Sequence, residues 1–328
     1  SVLLVTARIF GELSQKLGQP AVLGEIIAGI VLGPSLLGNA LPFIHGWIIP
    51  VTETQINLLE VITLIGAMFL LLITGLETDL TLIKHHSKKA AATAFGGLII
   101  PFAAGYIFSL YIPDQLLADP SQRIVFGLFL ATAISLSAIP VIAKVLIDLK
   151  LIRRDIGQIT IAAGMIDDTA AWILLSIVLG LIGGEAVTAG TIAHSFGKVI
   201  LFVALSFFFG KLIAKYFVSF TLNRISSRDK ILTLIVVFTF ALGAIAQAIQ
   251  LEAVLGAFVA GIIFAQLPSI PKESIEKVES TAFGIFAPIF FAGAGLKVNL
   301  FDLFQTNLIL IGVALILVAI FSKIIGAY

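Results

Sequence analysis

The stretch Ile159-Thr160-Ile161-Ala162-Ala163-Gly164-Met165-Ile166-Asp167-Asp168-Thr169-Ala170-Ala171-Trp172-Ile173-Leu174-Leu175-Ser176-Ile177-Val178-Leu179-Gly180 is long and apolar enough to cross a bilayer, and it carries two adjacent carboxylates near its centre. A helix needs about 20 apolar residues to span the hydrocarbon core. An ionised carboxylate at mid-helix costs roughly 2.5–3.5 kcal/mol even on the mild insertion scale. Two side by side cost more, because each disfavours ionisation of the other. Packing does not explain such a pair, and charge at membrane depth points by default to an ion path. Adjacent helix positions lie about 100° apart, so the two side chains cannot share one face. One is expected to point into an ion-accessible cavity, the other toward a fixed partner.

The surrounding chain demands a lipid solvent. It has 328 residues, 59% hydrophobic and 12% charged, with a mean hydropathy of +1.13. A soluble domain carries about 25% charged residues. The net charge of +1 argues against a nucleic-acid partner, and the absence of cysteine removes disulfide and thiolate-metal chemistry. His45, His85, His86 and His194 lack the spacing of a metal site. Neither a nucleotide loop nor a nucleophile elbow is present, so neither an enzyme nor a cofactor is expected.

Apolar windows predict helices near residues 1–16, 21–44, 56–76, 90–112, 122–147, 156–183, 190–219, 229–249, 252–267, 281–296 and 304–328. Lys and Arg alternate between the connections. Lys16, then Lys84, Lys88 and Lys89, then Lys144, Lys150, Arg153 and Arg154 lie in or beside odd-numbered connections. Lys211, Lys215, Arg224, Arg228 and Lys230, and finally Lys272 and Lys277, continue that set, whereas the even-numbered ones hold little beyond Arg123 and Lys297. The positive-inside rule then places the N-terminus outside.

The chain also repeats itself. Ala21-Val22-Leu23-Gly24 followed by Ala28-Gly29-Ile30 returns as Ala253-Val254-Leu255-Gly256 followed by Ala260-Gly261-Ile262. Gly75-Leu76-Glu77-Thr78-Asp79-Leu80 returns as Gly295-Leu296-Lys297-Val298-Asn299-Leu300, and Pro101–Tyr106 is loosely echoed by Lys323–Tyr328. The offset is seven helices, an odd number, so the copies cross the membrane in opposite senses. Inverted repeats of this kind mark secondary transporters, with the site near the midplane at the repeat interface. The expected organisation is a single membrane domain with a first repeat over 1–183, a linker helix over 184–228 and an incomplete second repeat over 229–328. Complete symmetry would add two helices after Tyr328, an expected C-terminal truncation.

Within 122–147 the chain reads Thr132-Ala133-Ile134-Ser135-Leu136-Ser137-Ala138-Ile139-Pro140. Pro140 removes a backbone donor and clashes one turn back. Local sequence favours an ordinary Pro-kinked helix with back-bonding hydroxyls. The position just before the Asp helix favours irregular backbone lining a cavity, with Thr132, Ser135 and Ser137 offering oxygens to an ion. Lys323, the lone basic residue of 309–328, is either a partner for a carboxylate or a snorkelling side chain. Glu25 and Glu60 are read as residues near helix ends.

The run Gln19-Pro20-Ala21-Val22-Leu23-Gly24-Glu25-Ile26-Ile27-Ala28-Gly29-Ile30-Val31-Leu32-Gly33-Pro34 closely resembles the opening signature of the bacterial monovalent cation/proton antiporters, family two. Thr132–Pro140, Asp167-Asp168, Phe290-Phe291 with Gly295-Leu296, and Lys323 match its further landmarks. The resemblance implies an all-α polytopic membrane protein with an inverted-repeat antiporter fold and broken, crossing helices, about eleven of thirteen being present here. It implies a dimerisation domain, a mobile core domain, a homodimer and the bacterial inner membrane. Asp168 would be the main carboxylate for protons and the monovalent cation, Asp167 would share the cation site and pair with Lys323, and Thr132 and Ser137 would line the break. The Asp-Asp pair implies electrogenic exchange. Sodium/proton exchange is the first reading. Potassium/proton exchange, a channel-like path and a non-transporting membrane subunit remain alternatives.

Overall fold

The computed structural model describes residues 1–49, 52–78, 80–117, 119–137, 139–182, 189–224, 229–267, 270–301 and 308–327. Side chains of residues 80–87, 168–169, 171–173, 175–177, 179–180, 182, 189–196 and 223–224 also lie outside the described part, among them those of Asp168, Trp172, His85, His86 and His194. All described secondary structure is helical. The helices are α1 (Val2–Lys16), α2 (Ala21–Leu32), α3 (Pro42–Ile48), α4 (Glu53–Leu76), α5 (Leu80–Ser109), α6 (Arg123–Ser135), α7 (Ile139–Asp148), α8 (Asp155–Ile182), α9 (Ala189–Leu205), α10 (Lys211–Arg224), α11 (Lys230–Ala248), α12 (Ala253–Ala265), α13 (Lys272–Thr281), α14 (Ala287–Leu296) and α15 (Ile309–Ala327). Among the described residues, eight helical stretches are long and apolar enough to cross a membrane. The remaining expected spans fall on α1, α8 and α12.

Several boundaries differ from the apolar windows, each for a local reason. The window 21–44 is interrupted: α2 stops at Leu32, Gly33 is extended, and Pro34 opens a five-residue π-turn over Pro34–Gly38. Pro34 has no N–H to continue the α2 ladder. The window 90–112 begins early, because α5 extends back through the polar segment to Leu80. Helical backbone is satisfied internally whether lipid or water surrounds it. The window 122–147 is two helices, α6 and α7, with residues 136–137 outside either helix. The window 190–219 joins α9 and α10 through a π-turn at Ser206–Gly210.

The chain forms two compact units. One comprises Ser1–Thr78, Ala143–Arg153 and Phe202–Phe301, the other Asp79–Ile142, Arg154–Leu201 and Asp302–Tyr328. In the first unit, α2 packs on α1 and α14, and α12 packs on α11 and α4. The repeated glycines explain why. A Cβ on Gly29 would strike the Ala292 carbonyl and the Gly295 backbone, and one on Gly261 would strike the Leu72 carbonyl and the Gly75 backbone. Between apolar helices in lipid, association rests on close backbone approach rather than on burial from water. Leu72, Ile73, Ile235, Ile263 and Phe264 fill the apolar centre of this unit, where Phe69 stacks on Phe286 at 4.8 Å.

In the second unit, α5 packs on α15, α6 and α8. Gly96 and Gly326 meet backbone to backbone where α5 crosses α15. Arg123 donates to the carbonyls of Ser109 (3.0 Å), Leu110 (3.3 Å) and Ile112 (2.7 Å), and pairs with Asp114. A guanidinium there satisfies carbonyls that the end of α5 leaves open and complements its negative dipole end.

Candidate ion site

The site of the second unit begins with the interruption between α6 and α7. Leu136 takes ψ 148°, and its N–H donates to the Thr132 carbonyl at 3.2 Å, closing α6. Thr132 Oγ1 donates to the Leu128 carbonyl (2.7 Å) and Ser135 Oγ to the Thr132 carbonyl (2.9 Å). Both hydroxyl hydrogens are thus spent on backbone, while oxygen lone pairs remain for another donor or a cation. Both residues are buried. Pro140 is the second residue of α7. A proline in the first turn disrupts no internal bond, since those N–H groups have no helical partner. The helix is therefore broken before Pro140 and not kinked by it.

Lys323 of α15 reaches this break. Its Nζ donates to Ser137 Oγ at 2.7 Å, to the Gly97 carbonyl at 3.0 Å and to the Ser135 carbonyl. An ammonium has three donors, and all three are used. These contacts hold the ammonium at the break. The bond to Ser135 places a positive charge on the carbonyl end of α6, where the helix dipole favours a cation.

Asp167 lies on α8 and is 5% exposed. The Ser137 hydroxyl lies beside its carboxylate, and the Lys323 charge acts on it. Its Oδ1 has no hydrogen-bond partner. Ser137 thus accepts from Lys323 and sits beside Asp167. Gly164, one turn before the Asp pair, lets the start of α7 approach α8: a Cβ there would meet Ile139 Cγ1 at 3.0 Å. Asp168 sits on the same helix, but its side chain lies outside the described residues.

The structure therefore brings together Asp167, Lys323, Ser135 and Ser137, with Thr132 one turn back on α6 and Pro140 opening α7. The sequence did not reveal the carbonyls of Gly97 and Ser135 as partners of Lys323, since backbone acceptors carry no side-chain signature. Glu60, an exposed residue of the first turns of α4, pairs with Lys297 at 3.2 Å. Glu25 departs from expectation: it is 2% exposed, on the interior of α2. Among the described residues, no group of three or more His, Asp or Glu side chains is placed to hold a metal ion.

Comparison with known proteins places this geometry in context. The family model described as sodium/hydrogen exchanger, transmembrane, matches residues 1–328. The cation/H+ antiporter 17 of Arabidopsis thaliana is 33% identical over 333 residues, covering 99% of this chain and 39% of that protein. The probable Na+/H+ antiporter GerT of Bacillus cereus is 31% identical over 328 residues, covering 99% of this chain and 80% of that one. The chain thus spans about two fifths of the plant relative. Among solved structures, the sodium proton antiporter MjNhaP1 from Methanocaldococcus jannaschii superposes with a TM-score of 0.62 at 17% identity, over 99% of this chain and 75% of that one. That likeness shows the antiporter fold.

Proposed function

We propose, from the premise that this chain belongs to the sodium/hydrogen exchanger family, that the protein exchanges protons for monovalent cations across a membrane, sodium first, by alternating access. The observation that carries this reading is a buried carboxylate, Asp167, with an unpartnered oxygen beside an interrupted helix. Such an oxygen is stabilised by a proton or by a cation, and both are the substrates at issue. Asp168 is the main carrier in this scheme and Asp167 its neighbour. Thr132, Ser135 and Ser137 supply neutral oxygens, and Pro140 keeps the start of α7 free of the α6 ladder.

Competition between proton and cation for the same carboxylates couples the two fluxes without requiring both to be bound together. The site then needs two conformations of different affinity. As two adjacent acids, the pair titrates as a coupled unit. Retention of both carboxylates supports electrogenic exchange, for which each net charge moved gains or loses about 2.3 kcal/mol per 100 mV. The Lys323 charge offsets part of the carboxylate charge. The Lys and Arg distribution supports an outside N-terminus, and the family resemblance supports a homodimer in a bacterial inner membrane. The sequence repeats over 1–183 and 229–328, with 184–228 as linker, find support in the matching contacts of Gly29 and Gly261.

Potassium is the rival cation, since the relative GerN of Bacillus cereus is named a Na+/H+-K+ antiporter. Full-length protein in proteoliposomes, driven by a proton gradient, distinguishes them. Sodium should dissipate the gradient at lower concentration than potassium. Equal or stronger response to potassium would reverse the assignment, and no response to any alkali cation would leave the subunit reading.

A further inference from the structure

The first unit holds a separate cluster of buried charge. Glu25 of α2 is 2% exposed, and its Oε2 atom has no hydrogen-bond partner. Gly11 of α1 makes room for it: a Cβ there would come within 3.3 Å of Glu25 Cγ and 3.5 Å of Oε1. Lys144, near the C-terminal end of α7, is 7% exposed. Its Nζ donates to Asp148 Oδ1 at 2.7 Å and lies 4.6 Å from the centre of the Phe283 ring. Asp148 Oδ2 accepts from the N–H of Ala21, the first residue of α2, at 3.2 Å. The charges facing Glu25 are Lys144 and Asp148 of α7 and Arg8 of α1. Arg8 is exposed and donates to the Phe283 carbonyl at 3.3 Å. The π-turn Pro34–Gly38 and α14, which also pack on α2, contain no titratable residue.

One buried and one partly buried carboxylate, Glu25 and Asp148, thus face one buried ammonium, and that ammonium hydrogen-bonds Asp148. With Lys144 bonded to Asp148 and the exposed Arg8 bonded to the Phe283 carbonyl, an ionised Glu25 would hold its charge on a buried oxygen to which nothing donates. A buried unpaired charge is far more costly than a buried neutral acid. A proton on Glu25 removes that charge. Nothing in the proposed exchange cycle uses this group.

We propose that Glu25, Lys144 and Asp148 form a second proton-binding site, separate from the Asp167–Asp168 pair, in which Glu25 carries an exchangeable proton. Release of that proton to water leaves a carboxylate that competes with Asp148 for the Lys144 ammonium. Sharing the ammonium weakens its hold on Asp148 and on the Phe283 ring. Those contacts join α2, α7 and the segment leading into α14, so their packing follows the protonation of Glu25.

Infrared difference spectra of the full-length protein over a pH titration test this without transport and without sodium. A carboxylic-acid carbonyl band that disappears as pH rises should be present in the wild type and missing in Glu25→Gln. The glutamine has the shape of the protonated acid, so that variant should fold. Lys144→Met should move the midpoint of the band to higher pH, with proton binding at least about tenfold tighter, because a nearby cation favours the ionised form. Asp148→Asn should move it lower. Superimposable spectra of wild type and Glu25→Gln would overturn the proposal. So would a Glu25 band that never titrates, or one that neither Lys144→Met nor Asp148→Asn displaces. The outcome does not depend on whether Asp168 exchanges sodium.

Discussion

Asp168→Asn in the full-length protein should reduce proton-gradient-driven sodium flux to the level of protein-free vesicles. Asparagine keeps the volume and loses the ionisable group. It can neither carry a proton nor supply the negative charge that offsets desolvation of the cation. Asp167 cannot replace it, since the two lie about 100° apart around α8. Flux at the wild-type rate in Asp168→Asn, with equal protein in the membrane, would remove Asp168 from the carrier role.

The second large effect concerns stability. Lys323→Met leaves the carbonyls of Gly97 and Ser135 and the Ser137 oxygen without their donor. It also strips Asp167 of its compensating charge. Breaking a fully buried ion pair costs about 3–5 kcal/mol. Lys323 is only half-buried, so a loss of roughly 1–3 kcal/mol is expected, the range for buried groups left unsatisfied. Asp167→Asn in the Lys323→Met background should recover part of it by removing the uncompensated charge. Melting curves of the two single variants and the double variant in one detergent measure the coupling. Additive effects, or a Lys323→Met variant as stable as wild type, would show that the two residues act independently.

The Asp pair was legible in the sequence because lipid makes charge conspicuous: two carboxylates in an apolar run have few explanations. Lys323 was legible as a candidate for the same reason, yet its depth was not, since tilt and helix ends decide where an ammonium lies. The break before Pro140 was ambiguous. Proline produces kinks and starts helices alike, and only the extended Leu136 backbone separates the two. Ser137 as a partner of Lys323 was out of reach, because it depends on α15 crossing α5 at Gly96 and Gly326. The Glu25 reading failed for a related reason. Its run is dominated by the small residues of helix contacts, and an isolated carboxylate there looks like a helix end. Its burial follows from α1, α7 and α14, which lie far from α2 in sequence or carry no matching signal.

The most direct test of the central claim, that protons and cations compete for the Asp167–Asp168 pair, is the proton count on sodium addition to purified full-length protein in weakly buffered solution. Sodium should release protons into the medium near the titration range of the pair. The same addition to Asp168→Asn should release none. Saturable sodium binding to the wild type without proton release would contradict a shared site.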